Sequence, residues 1–319
     1  MSAPVPADPD EATLGIANML GEPQVVAVVS DGSTFLEQAT ALRLVLRRYA
    51  ALIHHLTALP TRVIVLDADS PEQFAALYSD AVEGMDSDVA AVFLTHTDPH
   101  RTRLVQQVKT VPVVVTDHDT TAIALTAALW TTLARAGAAP QSSRVVIAGT
   151  DTMPTLGPLL VAAGVGDLTG WRTSDAAAFP LRIVAKDADV VINLLGESPL
   201  PRGLRTDRPD LAVLTPNWSR DPLLAVPGLL RAAVLIPGVK LDVEVAHDCA
   251  LALVMATRPE QDLPAGPDRA LTDQVVEAVI RTLPPTARHP SGLGCRVVVC
   301  ATGPDLVPGH LTHQRGDQQ

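Results

Sequence analysis

Two short clusters of histidines and aspartates could support chemistry in this chain of 319 residues, and each directly follows an apolar run. The clusters are His96, Asp98 and His100, and Asp117, His118 and Asp119. If both runs are strands of one parallel sheet, the clusters lie at its carboxyl edge, where such folds bind ligands. Two histidines and a carboxylate would suit zinc or a borderline transition metal. Alternatively, Asp98 before Pro99 and Asp119 before Thr120 are good helix-start residues, and the clusters are then solvated loop polars.

A second candidate site is the loop GTDTMP, Gly149 to Pro154, which follows the apolar run 144–148. A dinucleotide pyrophosphate needs several glycines, because the backbone must turn tightly and approach the phosphates at a helix start. Here a single glycine, Gly149, precedes Asp151, which adds a negative charge where the phosphates would lie. The loop is either a weakened dinucleotide site or a structural remnant of one.

The elements that would position these loops alternate between strands and helices. Strands are predicted at Pro23–Ser30, Thr61–Leu66, Val89–Leu94, Val111–Val115, Arg144–Ala148, Leu168–Trp171, Asp189–Leu194 and Leu211–Leu214. Helices are predicted at Ser33–Leu56, Ser70–Ala81, His100–Lys109, Thr120–Arg135 and Asp273–Thr282. Strands separated by helices of this length predict parallel sheets with helices on their faces.

The fold class predicted from this alternation is α/β, in two domains. Residues 1–119 form an N-terminal parallel α/β domain, and residues 120–287 form a doubly wound, Rossmann-like domain of the NAD(P)-binding type. Residues 288–319 follow as a Pro-rich linker and a C-terminal extension, in which Cys295–Cys300 could add one strand.

Composition restricts the partners. The net charge is -11, and no run of Lys or Arg is longer than Arg47-Arg48, which argues against nucleic acid and anionic membranes as partners. The three cysteines fit a reducing compartment better than a disulfide framework. The first residues show no secretory signal, and no apolar run approaches the roughly 18 residues of a membrane span. We expect a cytoplasmic protein with a small-molecule or protein partner.

The stretch Val111–Ala136, followed by RVVIAG, resembles the junction between the two domains of malic enzymes, whose members read roughly PVFHDDQHGTAIV and then VVINGAGAAG. Three further segments are similar to malic-enzyme segments and occur in the same order. They are AVVSDG at 27–32, ADVVINLLGESPL at 188–200 and VPGLLRAAV at 226–234. The resemblance spans roughly residues 23 to 285. It implies an oxidoreductase that decarboxylates malate with NAD or NADP and a divalent metal, and a homodimer that pairs through its first domain.

The resemblance also assigns site residues. Tyr49 aligns with the lysine that is the family's general base. The family's three metal-binding carboxylates align with Thr95, His96 and Asp117, of which Asp117 alone is a carboxylate. The cofactor positions align with the loop residues Gly149, Thr150 and Asp151, with Arg172 at the ribose-binding acid, and with Thr215 at an asparagine.

These replacements predict a malic-enzyme-like pseudoenzyme that has lost the oxidative decarboxylation of malate and binds a metabolite or a partner protein. Two alternatives stay open at this point. One is an NAD(P)-dependent oxidoreductase of the malic enzyme family. The other is an enzyme with a repurposed site at the His96–His100 and Asp117–Asp119 edge.

Overall fold

The computed structural model describes residues 24–35, 39–83, 88–107, 112–196, 204, 208 and 210–283. The strands are β1 (Val25–Ser30), β2 (Thr61–Val65), β3 (Val89–Leu94), β4 (Val113–Thr116), β5 (Arg144–Ala148), β6 (Asp167–Trp171), β7 (Val190–Asn193) and β8 (Ala212–Leu214). The helices are α1 (Ala39–Thr57), α2 (Pro71–Glu83), α3 (Pro99–Gln107), α4 (Asp117–Arg135), α5 (Leu156–Ala162), α6 (Leu181–Val184), α7 (Asp221–Leu235), α8 (Val243–Ala256) and α9 (Arg269–Thr282). None of these helices is long and apolar enough to cross a membrane.

The first sheet contains β1 to β4 in the order β2-β1-β3-β4, and all its strand pairs are parallel. The last residue of β3, Leu94, pairs with Val29 of β1 on one side and with Thr116 of β4 on the other. The carboxyl ends of these three strands therefore lie side by side. This register places the loop after β3 next to the first turn of α4.

The second sheet has the order β6-β5-β7-β8 and is also parallel. Ala148 at the end of β5 pairs with Trp171 of β6 and with Asn193 of β7. The chain leaves β5 toward β6 and returns on its other side as β7. The carboxyl ends of β5 and β7 therefore form the topological switch point at which open α/β sheets bind ligands.

One apolar core is shared by the two sheets. Val28 of β1 and Ile147 of β5 belong to the same buried cluster, together with most of α7. Helix α7 packs closely on α9, because a Cβ on Gly228 would lie 2.5 Å from Cβ of Val275. Pro227, inside α7, is also buried. The shared core fixes the carboxyl edge of the first sheet relative to the second.

The structure confirms the α/β fold class and the eight predicted strands, whose ends differ by up to two residues from the predicted ones. Helix α4 begins at Asp117 rather than at Thr120, because the Thr116 side chain accepts a hydrogen bond from the Asp119 amide. The cap residue is therefore Thr116 and not Asp119. Asp98 is a cap as expected, since its Oδ1 accepts from the His100 amide at 2.8 Å.

Helices α5, α6, α7 and α8 have no counterpart with stated bounds in the sequence prediction. The domain boundary at 119/120 stays a prediction, and the predicted strand Cys295–Cys300 lies outside the described residues.

Candidate functional site

The Asp117 carboxylate is the centre of the candidate site. It is 6% exposed, at the first position of α4. Its Oδ2 accepts a hydrogen bond from Thr95 Oγ1 at 3.0 Å and one from the His96 amide at 2.7 Å. Its Oδ1 lies 2.9 Å from His118 Nδ1. Both oxygens are therefore engaged by groups of the chain itself.

These contacts keep Asp117 ionised despite its burial. Burial alone would raise the pKa of Asp117, but the hydrogen bond and charge of His118 and the amide of His96 outweigh it, so the pKa lies below the ordinary value. An ionised carboxylate can only accept hydrogen bonds, so His118 carries a proton on Nδ1. Burial opposes a charged His118, yet the bond to Asp117 and the neighbouring carboxylates raise its pKa.

His96 has an unusual backbone. Its φ is 52°, in the left-handed region that a residue with a Cβ rarely adopts. This conformation goes with the bond from the His96 amide to Asp117. It also places the imidazole between the rings of Phe35, at a centroid distance of 5.1 Å, and Tyr49, at 5.9 Å.

Tyr49 lies beneath this imidazole. Its hydroxyl is 3.5 Å from His96 Nε2, at the outer limit for a hydrogen bond. Burial, and then the charge of Asp117, raise the pKa of the Tyr49 phenol above its ordinary value. The phenol is therefore protonated at neutral pH. Burial likewise lowers the pKa of His96, which favours its neutral form.

The second sheet contributes Trp218, from the loop between β8 and α7. Its ring lies 5.4 Å from that of His118, tilted by 60°. The same loop is closed by Asp221, whose Oδ2 accepts from the Asn217 amide at 2.8 Å and whose Oδ1 accepts two bonds from Arg220. The His118 imidazole is thus held between a carboxylate of its own helix and an indole that follows the second sheet.

A buried ion pair braces the loops of the first sheet. Arg101 NH1 donates to Asp31 Oδ2 at 2.6 Å and to the carbonyl of Ala68 at 3.0 Å. Ser33 bridges the same loops, since its Oγ donates to Asp31 Oδ1 and accepts from the Asp98 amide at 2.7 Å. These bonds therefore connect the loops that follow β1, β2 and β3.

The residues named for metal binding do not fit a magnesium or manganese ion, which prefers several carboxylate, carbonyl or water oxygens, because Asp117 is the one carboxylate among them. The Thr95 hydroxyl donates to Asp117, and both Asp117 oxygens already accept bonds. Across the described residues, no group of three or more His, Cys, Asp or Glu side chains is placed to hold a metal.

The first two amides of the dinucleotide-type loop are bonded to the neighbouring strand β6. The amides of Gly149 and Thr150 both donate to the carbonyl of Trp171, at 2.8 and 3.2 Å. Asp151 and Arg172 are exposed, and the Arg172 amide donates to Asp175 Oδ2 at 3.0 Å. Thr215 follows β8, which is separated from β6 by two strands. Gly149, Thr150 and Arg172 therefore lie close together, and Thr215 lies toward the far edge of the sheet.

The structure thus brings Tyr49, Thr95, His96 and Asp117 into one cluster, together with His118. The sequence analysis missed Phe35, Trp218 and Arg101. An aromatic residue four or five positions after a predicted strand was the available signal for Phe35 and Trp218. The pairing of Arg101 with Asp31 across 70 residues of sequence had none.

Comparison with known proteins gives one kind of match. No protein-family model and no curated protein sequence matches the chain. Among solved structures, the NAD-dependent malic enzyme of Thermotoga maritima matches with a TM-score of 0.65 and 17% identity over 88% of this chain and 95% of that one. A structure described as a putative malic enzyme (malate oxidoreductase) matches with 0.66 and 18%, over 88% and 96%. The malic enzyme of Pyrococcus horikoshii matches with 0.65 and 16%, over 84% and 78%.

The chain has a malic-enzyme-like fold. This confirms the fold that the sequence resemblance implied, over most of the described residues. At identities of 16 to 18%, the likeness establishes the fold alone. In this malic-enzyme-like fold, Asp117 and its partners stand at the carboxyl edge of the first sheet, opposite Trp218.

Proposed function

We propose that this malic-enzyme-like protein binds a small metabolite at the carboxyl edge of its first sheet and does not oxidise malate. The observation that carries the proposal is the state of Asp117. It is the one carboxylate among the three aligned metal positions, and it already accepts bonds from Thr95, His96 and His118, so a divalent metal would lack the carboxylate ligands that the resemblance implies. Without a metal, nothing polarises the carbonyl that forms during oxidative decarboxylation.

The position of the general base supports the same conclusion. Tyr49 replaces the lysine that the resemblance implies, and the pKa of its phenol is raised by burial. A group that stays protonated at neutral pH cannot take a proton from a substrate hydroxyl. Loss of a general base alone typically costs about 10²- to 10⁴-fold in rate.

Binding of a metabolite is supported by what the edge still presents. His96 and His118 are half-buried, and each lies against an aromatic ring. His118 is held in one orientation by Asp117. The left-handed backbone of His96 is a strained feature of the kind that clusters at ligand sites. Oriented imidazoles between apolar rings match the usual make-up of a small-molecule site.

A ligand screen with three variants tests the proposal. Purified protein is titrated calorimetrically with dicarboxylates, hydroxy acids and other small polar metabolites. A ligand of this site should bind His118→Gln roughly 10-fold or more weakly, because a hydrogen bond to a charged group is lost. Trp218→Ala should also weaken binding. His100→Gln is the matched control, because it makes the same substitution at an exposed histidine of α3, the helix that follows β3. This variant should bind the ligand like the wild type.

Two results would overturn the proposal. One is reduction of NAD or NADP that depends on both malate and a divalent metal. The other is a ligand whose affinity does not change in either His118→Gln or Trp218→Ala, because such a ligand binds elsewhere. If the protein binds a partner protein instead of a metabolite, the screen should give no hit. Partner binding is the other form that the proposed binding function can take.

A second candidate function is catalysis at a repurposed site. The observation that favours it is the pair Asp117 and His118, with 2.9 Å between Oδ1 and Nδ1. A carboxylate that fixes the tautomer of a histidine leaves the other ring nitrogen to act as a base, as in many hydrolytic sites. Turnover of a screened ligand that is abolished in both His118→Gln and Asp117→Asn would favour this candidate over simple binding.

The proposal includes a cellular compartment and an oligomeric state. We expect a cytoplasmic homodimer without nucleic-acid or membrane partners. The one cysteine among the described residues, Cys249, is buried, and this burial raises the pKa of its thiol to about 12. An NAD(P)-dependent oxidoreductase is the remaining alternative and rests on the fold alone.

A further inference from the structure

The crevice at the switch point of the second sheet is where this fold would take a dinucleotide. A bound pyrophosphate needs backbone amides that point outward and a glycine whose bare face lets the phosphates come close. The loop after β5, residues 149–154, would have to meet both requirements.

Three amides of the loop, those of Gly149, Thr150 and Thr152, are already paired. Gly149 and Thr150 donate to one carbonyl, that of Trp171 at the end of β6, and Thr152 donates back to the carbonyl of Gly149 at 3.0 Å. Trp171 is held in turn by its indole, whose Nε1 donates to the carbonyl of Phe179 at 2.7 Å. The loop is therefore folded onto β6.

The bare face of Gly149 is covered. A Cβ at this position would lie 3.2 Å from both the carbonyl carbon of Leu194 and Cδ2 of Leu195. Leu195 is fixed there because its amide donates to Oδ1 of the buried Asn193 at 3.2 Å. Gly149 is thus required by its close packing against the end of β7. Its φ of 92°, which favours glycine, is a second reason for a glycine in the turn after β5.

A carboxylate from α4 completes the closure. Burial raises the pKa of Asp119, and the nearby side chains of Thr116 and of Thr155, the residue that precedes α5, oppose that rise. The same carboxylate accepts from Thr116 Oγ1 at 2.7 Å and from Gln106 Nε2 at 3.2 Å. The segment between the loop and α5 therefore lies beside a carboxyl group of the first turn of α4.

We infer that this crevice is a closed structural joint between the two sheets, in which Trp171, Leu195 and Asp119 occupy the bonds and surfaces that a dinucleotide would need. NAD and NADP do not bind there. The joint shares the first turn of α4 with the metabolite site at Asp117, but a dinucleotide titration and a metabolite screen measure different ligands, so either conclusion can fail without the other.

Calorimetric titration with NAD and NADP tests the joint in the wild type and in Asp151→Gly. Asp151 is exposed, and its charge is the simplest competing explanation for weak binding. Because the closure does not depend on that charge, both proteins should show no saturable binding up to about 1 mM, the weak end of specific affinity. A micromolar complex with the wild type, or one that appears in Asp151→Gly, would overturn the inference.

Hydrogen exchange of the full chain gives a readout that needs no ligand. The amides of Gly149 and Thr150 should exchange at least ~100-fold more slowly than in an unstructured peptide, because both are bonded inside the joint. The amide of the exposed Asp151 is the internal comparison and should exchange faster. Unprotected amides at both Gly149 and Thr150 would mean that the loop is open and would contradict the joint.

Discussion

Replacement of Asp117 should expose how the candidate site is held together. In Asp117→Ala, the hydroxyl of Thr95, the amide of His96 and the imidazole of His118 all lose their acceptor. Removing one partner from a buried charged network typically costs about 3–5 kcal/mol. Since 1 kcal/mol shifts the melting temperature of a chain of this size by roughly 1.5–2 °C, we expect a decrease of about 5–10 °C.

The conservative variant separates charge from shape. In Asp117→Asn, the amide oxygen can still accept from Thr95 and His96, while the amide nitrogen donates to His118 in its other tautomer. The cost should fall to about 1–2 kcal/mol, because charge-assisted bonds become neutral ones. Asp98→Ala is the matched control. It removes a cap from the neighbouring loop and should cost about 1 kcal/mol.

The pH dependence of the same variants has a defined sign. The folded pKa of His118 is raised, so the stability that it contributes is complete below its ordinary value near 6.5 and is lost as the pH rises through the folded value. The folded pKa of Asp117 is lowered, so its contribution is present above the ordinary value of 3.8 and is lost as the pH falls through the folded value. The pair therefore stabilises most between these two ordinary values.

Urea unfolding at several pH values and NMR titration of the imidazoles measure these effects. In Asp117→Asn the pKa of His118 should fall, and the pH-dependent part of the stability should shrink. The reasoning is refuted if Asp117→Ala melts within the experimental error of the wild type, or if Asp98→Ala costs as much as Asp117→Ala.

Four further predictions follow from the same contacts. Malate with magnesium or manganese should give no reduction of NAD or NADP above background in a spectrophotometric assay, because Tyr49 is no base; metal-dependent turnover would contradict this. Asp119→Ala should lower the free energy of unfolding in urea by about 1–2 kcal/mol, because two donors, Thr116 and Gln106, lose one acceptor, whereas Asp119→Asn should stay within about 1 kcal/mol of the wild type; equal costs would argue against the bonds. Gly149→Ala should lower the melting temperature, and Leu195→Ala should offset part of that loss, because the added Cβ meets the Leu195 side chain; strictly additive losses would exclude that contact. Light scattering should give a homodimer with twice the 33.5 kDa mass of the chain, and a monomer at all concentrations would exclude it.

The strands and the loops at their ends could be predicted from the sequence because their physical signals are local. Uninterrupted apolar runs such as Val89–Leu94 indicate buried parallel strands. The rule that parallel strands end at a common edge then places Thr95 and His96 beside Asp117. The resemblance implied a malic-enzyme-like fold, and the fold comparison confirms that fold.

The missed helices have sequences that hide their period. Helix α8 exposes Leu251 and Met255 as well as burying Cys249 and Leu253, so no polar face marks it. Helix α7 contains Pro227 and Gly228, which usually end helices, and here both are buried within its core-facing surface. Tertiary packing decides both cases.

The hydrogen bonds that the Asp117 carboxylate accepts could not be predicted from the sequence either. That Thr116 rather than Asp119 caps α4 depends on the backbone at the end of β4. The contact between His118 and Trp218 joins residues 100 positions apart in sequence, on loops of different sheets. A sequence pattern locates such side chains at sheet edges, but the partners of each oxygen follow from the packing of the two sheets.

Titration with Mn²⁺ followed by electron paramagnetic resonance tests most directly whether Asp117 is engaged by the chain rather than available to a metal. The signal of free Mn²⁺ should stay unchanged by the protein at micromolar to submillimolar concentrations, with and without malate. Loss of the free signal that saturates at one Mn²⁺ per chain, and that is abolished in Asp117→Asn but not in Asp98→Asn, would contradict the account.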